Sequence, residues 1–156
     1  MPEYRSLTFG EQGGLRMRIE DFEKFRTLKD LTDYIMESKK CDRKKATAWC
    51  KNNVPLETKF QEKILDYLKE RYPESFARKI TQGAYSHGGT PDILFVYKGR
   101  YIGFEVKRPY FGITSKLQEE TIKKIRRAGG VAEVVIYVSE VKAVMDEVEK
   151  MIEAEE

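Results

Sequence analysis

The chain is poor in the residues on which most metal and thiol chemistry depends. Among 156 residues there is one histidine, His87, and there are two cysteines, Cys41 and Cys50. That is too few for a structural zinc site, where several thiolates or imidazoles share one ion. The two cysteines are expected to be free, partly buried thiols in a reducing compartment. A catalytic metal would then have to rest on oxygen ligands, which selects Mg²⁺ or Mn²⁺. Long apolar runs are missing too, and none approaches the roughly 18 residues that a membrane span requires. The opening residues Met1-Pro2-Glu3-Tyr4-Arg5-Ser6 lack the apolar stretch of a secretory signal. A cytoplasmic protein without a membrane partner is expected.

What is abundant is charge, at 35% of residues against 40% hydrophobic, the mix of a globular domain with a heavily charged surface. The net charge of +3 is mild, but its distribution is uneven. Residues 39–51 carry Lys39, Lys40, Arg43, Lys44, Lys45 and Lys51 against Asp42 alone. Residues 98–127 are also strongly basic, and the tail from Glu133 onward is acidic. A basic front and an acidic back point to a polyanionic partner on one side.

Hydrophobic spacing organises the chain. Phe22, Phe25, Leu28, Leu31, Tyr34 and Ile35 recur at helical intervals over 20–37. A second short helix is expected over 42–52, capped by Asp42. Asn52-Asn53-Val54-Pro55 ends that pattern, because the residue before proline disfavours helix. A helical N-terminal extension, residues 1–55, is therefore separated from residues 56–156. In the second part the expected order is a helix over 57–70, a strand over 77–85, a strand from Ile93 to Tyr97, a Lys98-Gly99 turn and a returning strand from Tyr101 to Val106. A helix over 114–128 closed by Gly129-Gly130, a buried strand from Val131 to Val138 and a helix over 140–153 follow. The fold class is α/β, an αβββαβα order with a mixed four-stranded sheet flanked by helices.

The chemistry concentrates on the hairpin. Glu105 and Lys107 are two apart on a strand and share a face. With Lys98-Gly99 as a two-residue turn, Tyr97 faces Arg100 and Val96 faces Tyr101. The same register sets Asp92 directly opposite Glu105, with Cβ atoms about 5 Å apart. Like charges so placed repel, and a divalent cation between them reverses the sign. Such a cation polarises a phosphoryl oxygen and lowers the pKa of an attacking water, while Lys107 offers a compact positive charge to the developing negative one. Glu-x-Lys or Pro-Asp alone is uninformative. The two aligned across one hairpin are specific.

Gly89-Thr90-Pro91-Asp92, the hairpin, Glu105-Val106-Lys107-Arg108-Pro109 and Gln118 together resemble the PD-(D/E)XK nuclease superfamily. Within it the chain is most similar to the virus-type replication-repair nuclease (VRR-NUC) domains, over about residues 56–139. The resemblance implies a restriction-endonuclease-like core and a Mg²⁺- or Mn²⁺-dependent endonuclease that hydrolyses DNA phosphodiester bonds. It implies Asp92, Glu105 and the Val106 carbonyl as metal ligands, Lys107 as the catalytic lysine and Gln118 near the site from its helix. The superfamily also tends to carry an acid on the first helix, here Glu57 or Glu62. Glu57 shares the face of Phe60 and Ile64, and Glu62 does not, so Glu57 is the expected metal ligand. Gln61 shares that face with Glu57. Many members of the superfamily cut both strands as dimers, so a homodimer is expected by likeness.

Arg108 and Lys116 are candidates for phosphate contacts, which are largely blind to sequence. Tyr110 and Phe111 are candidates for base stacking, although packing at a loop end is the commoner role. His87 lies five residues before Asp92, most simply as a surface-loop histidine. The run ending Thr47-Ala48-Trp49-Cys50-Lys51 looks like the end of a helix-turn-helix unit, in which Arg43, Lys44 and Lys45 would touch DNA. Its turn lacks the usual glycine. The alternative function is thus a non-catalytic DNA-binding regulator that works through this segment. The intact Asp92, Glu105 and Lys107 set argues against it. The motif specifies hydrolysis and is satisfied equally by junction, flap, nick or duplex, and by RNA as well as DNA.

Overall fold

The computed structural model describes residues 15–81, 83 and 88–156. The chain divides into two compact units, Met1–Pro55 and Leu56–Glu156. The first contains α1 (Ile19–Phe22), α2 (Leu28–Lys39) and α3 (Arg43–Asn53). The expected continuous helix over 20–37 is interrupted. Thr27 accepts the Asp30 N–H at its hydroxyl and starts α2 afresh, as an N-cap does. The apolar spacing survives the break, and Phe22, Phe25, Leu31 and Ile35 are all buried. Asp42 caps α3 by accepting the Lys45 N–H at 2.8 Å. Lys40 ends α2 in the left-handed region, at φ 49°, where a glycine would be less strained. Arg43 pairs with Asp33 across the turn at 2.7 Å, and the Thr32 hydroxyl lies 3.9 Å from the buried Cys50 thiol.

The second unit runs α4 (Glu57–Arg71), β1 (Phe76–Lys79), β2 (Ile93–Tyr97), β3 (Arg100–Val106), α5 (Lys116–Arg127), β4 (Val131–Val135) and α6 (Val138–Glu155). Its four strands lie in the order β1-β2-β3-β4, antiparallel except for the parallel β3–β4 pair. This is the mixed sheet and helix order that the spacing predicts. The strand expected over 77–85 spans Phe76–Lys79, and Ala84, Tyr85 and His87 lie outside the described residues. The strand expected to reach Val138 ends at Val135, and α6 begins at Val138 instead. Glu140 draws the chain into the helix by accepting the N–H groups of Ile136 and Tyr137, each at 3.0 Å.

β3 is a central strand, paired on both sides, and every residue from Ile102 to Val106 is buried. α4 contributes Phe60, Ile64 and Leu68 to the core, and α6 contributes Val141, Met145 and Val148. These sets recur at three and four residues, the spacing of a helical inner face. Among the described residues no helix is long and apolar enough to cross a membrane.

Two glycines let the chain approach the sheet where the hairpin carries its acids. A Cβ on Gly103 would lie 2.8 Å from Pro91 Cγ and 2.9 Å from the Tyr101 hydroxyl. Pro91 therefore rests on bare β3 backbone, which fixes the start of the segment leading to Asp92. Gly89 has φ +94°, and a Cβ there would collide with Leu117 and Thr121 of α5. Gly103→Ala is expected to lower stability by about 1–3 kcal/mol, the usual range for overpacking a closed site. Urea unfolding at neutral pH measures it.

Candidate active site

The hairpin register follows from the Lys98-Gly99 turn. Tyr97 pairs with Arg100, Phe95 with Ile102 and Ile93 with Phe104. One step further, the same register sets Asp92 opposite Glu105. The Asp92 backbone is held from the other side, where its carbonyl accepts the Ile80 N–H at 2.7 Å. Its side chain reaches across to β3, and Oδ2 accepts the Val106 N–H at 2.7 Å. Val106 is itself fully buried.

Glu105 is 1% exposed. Its Oε1 accepts from Gln118 Nε2 at 2.5 Å and lies 3.2 Å from Lys107 Nζ. Its Oε2 is buried, and no protein donor among the described residues reaches it. Burial, then the charge of Asp92, pushes the Glu105 carboxyl up to about 7, and Lys107 opposes that shift by hydrogen bond and charge.

Gln118 ties the cluster together. Its Oε1 accepts from Lys107 Nζ and from the Ser115 N–H, both at 2.9 Å, while Nε2 donates to Glu105. The Ser115 hydroxyl in turn accepts the Gln118 N–H at 3.2 Å. Ser115 and Gln118 thus form the capping box that starts α5, and the same amide bridges the acid and the lysine. Ser115 is the member that reasoning from catalytic motifs overlooks, although Ser-x-x-Gln before a helix is a readable signal.

Glu57 occupies the first turn of α4, half-buried, and accepts from Gln61 Nε2 at 3.1 Å. Burial and then the Asp92 charge raise its carboxyl, while Lys107 and Lys79 pull it down. The structure thus sets Glu57 within electrostatic reach of Asp92 and Lys107. Glu62 is exposed and pairs with Lys59 at 3.6 Å.

The other predicted residues lie as follows. Lys116 is exposed at the first position of α5. Arg108 stacks over Phe111, 4.5 Å from the ring centroid, and Tyr110 lies edge-on to Phe111. That loop packs on itself. Lys44 and Lys45 are exposed on α3, in the first unit. His87 is outside the described residues. A cavity of about 680 Å³ opens at the far end of β3, beside Lys98, Arg100, Gly129 and Glu155. Arg100 and Glu155 pair there, but it offers no acid–acid–lysine set.

A solved structure named as a VRR_NUC domain protein matches this chain with a TM-score of 0.50 and 17% identity, over 60% of this chain and 87% of that one. The fold is that of a VRR_NUC domain protein. A second, named as a VRR_NUC domain, is 24% identical over 55% of this chain and 92% of that one, with a TM-score of 0.44. No family model and no curated protein matches the chain. In this VRR_NUC-type fold, the oxygen donors around Asp92 and Glu105 fit a hard divalent cation. No donor among the described residues reaches the buried Glu105 Oε2, and the neighbouring Asp92 carboxyl makes ionising Glu105 costlier still. Among the described residues no three Asp, Glu, His or Cys side chains gather into a cage by themselves. A cation held here would retain water ligands, the habit of Mg²⁺.

The raised Glu105 carboxyl has a stability consequence with a definite sign. A folded value of about 7 against an ordinary 4.5 means that the protonated acid favours the fold. Its contribution is complete below pH 4.5 and is lost as pH rises through 7. Metal-free protein is expected to lose up to about 3 kcal/mol across that window. Glu105→Gln, which cannot ionise, should flatten most of the loss, as denaturant melts in EDTA between pH 4 and pH 8 would show.

Proposed function

We propose that this chain is a metal-dependent endonuclease that hydrolyses DNA phosphodiester bonds with Mg²⁺ or Mn²⁺. The observation that carries the reading is the buried Glu105, opposite Asp92 and in contact with Lys107, with one oxygen left for a ligand. In this reading Asp92, Glu105 and the Val106 carbonyl would hold the cation, with Glu57 as a further acid from α4. When bound, the cation supplies Lewis-acid polarisation of the phosphate and a lowered pKa for the attacking water.

The chain's own groups do the rest. The Val106 N–H fixes the Asp92 carboxylate, so one of its oxygens is already oriented. Gln118 holds the Lys107 ammonium against Glu105 through its two amide ends. Lys107 thereby presents a positioned positive charge to the negative charge that develops on the phosphate. It is only 8% exposed, which removes water that would weaken that interaction. Arg108, Lys116, Arg43, Lys44 and Lys45 are assigned to the DNA backbone, and two copies of the chain would serve the two strands of a duplex. A branched or nicked substrate belongs to the same proposal.

A labelled set of single-stranded, duplex, flap and four-way-junction DNA, incubated with Mg²⁺, Mn²⁺ or EDTA, tests it. Cutting should require metal, and Lys107→Ala should slow it by about a hundred- to a thousandfold. Binding without cutting, unaltered in Lys107→Ala, would refute the enzyme and favour the DNA-binding regulator. Lys44→Ala with Lys45→Ala should weaken DNA binding and reduce the steepness of its salt dependence by about two. Binding isotherms at several salt concentrations measure it.

A further inference from the structure

Gln61 and Glu57 lie four apart on α4, so their side chains neighbour one another on one face. Gln61 is 5% exposed. Its Nε2 donates to Glu57 Oε1, while its Oε1 is buried and reached by no protein donor among the described residues. The amide is half used. Reversing it would turn a carbonyl oxygen onto a carboxylate and gain nothing. A buried acceptor without a partner is a costly thing to keep on an otherwise apolar inner face, where methionine would fill a similar volume.

The chemistry of the missing partner is constrained. A carbonyl oxygen only accepts, so the partner must bring an N–H or O–H. The Glu57 carboxyl beside it already accepts the Gln61 Nε2 hydrogen, and it lies within electrostatic reach of Asp92. A hydrated divalent cation satisfies both groups. The carboxylate takes the charge, and the amide oxygen takes a hydrogen from a water of the hydration shell. Such waters are polarised by the ion, and Mg²⁺ keeps several of them at protein sites.

We infer that Gln61 is a positioning residue of this site, which holds Glu57 through Nε2 and accepts at Oε1 a hydrogen bond from a water of the bound cation. The inference rests on the nuclease reading above. Its test is Mn²⁺ binding to the full chain, read by paramagnetic resonance of free Mn²⁺, with melting temperatures taken with and without the ion. Wild type is compared with Gln61→Met and Gln61→Glu. Gln61→Met should bind Mn²⁺ about 10- to 100-fold more weakly, the usual effect of removing a group that orients a metal ligand. Its metal-free melting temperature should equal or exceed that of wild type, while the rise produced by Mn²⁺ shrinks. Gln61→Glu keeps an acceptor but loses the donor to Glu57, so it should bind Mn²⁺ more tightly than Gln61→Met.

Mn²⁺ affinity unchanged in Gln61→Met would overturn the inference. So would a lower metal-free melting temperature with an undiminished Mn²⁺-induced rise, the mark of a purely structural residue. Binding by Gln61→Glu as weak as that of Gln61→Met would overturn the acceptor role. A wild type that binds no Mn²⁺ would overturn the nuclease reading and this inference with it.

Discussion

A carboxylate carried into the interior on a central strand is expensive to ionise, and the second unit is arranged around that one fact. Glu105 sits at the end of β3, buried among strands on both sides, and faces the charge of Asp92. Lys107 and Gln118 compensate only one of its oxygens. The other is left without a protein donor among the described residues. A protein selected for stability alone would put an apolar residue there. Retaining the acid makes sense where a cation or a reacting group completes the arrangement, and the cost is then part of the function.

The surrounding pieces are coupled to this burial through backbone geometry. Pro91 rests on Gly103, and Gly89 lets its loop meet α5, so the segment leading to Asp92 is clamped from two sides. The capping box of α5 uses the same amide that bridges Glu105 and Lys107. Helix initiation and site assembly therefore share one side chain. Lys107 is thereby bonded to a side chain whose position the helix cap already fixes.

α4 adds a further layer. Its inner face is apolar at Phe60, Ile64 and Leu68, yet its first turns carry Glu57, within electrostatic reach of Asp92, and Gln61, which donates to Glu57. The N-terminal unit follows simpler rules. Thr27 and Asp42 start its two longer helices, and the left-handed Lys40 makes the turn that a glycine usually makes.

The sequence by itself determined what depends on period and local chemistry. The Lys98-Gly99 turn set the hairpin register, and strand alternation then put Glu105 and Lys107 on one face with Asp92 opposite. Helical spacing separated the inward Glu57 from the exposed Glu62. Spacing could not reveal the break at residues 23–27, because buried Phe22 and Phe25 keep the period whether or not the backbone is helical. Nor could it mark the end of β4, where Val138 looks like more strand until Glu140 caps the next helix. Only the tertiary structure decided the rest: Gln118 at the junction of acid, lysine and cap, and one buried oxygen each on Glu105 and Gln61 that no donor among the described residues reaches. Those depend on which side chains meet across separate elements, and hydrogen-bond satisfaction at a buried site is a property of that meeting, not of any one segment.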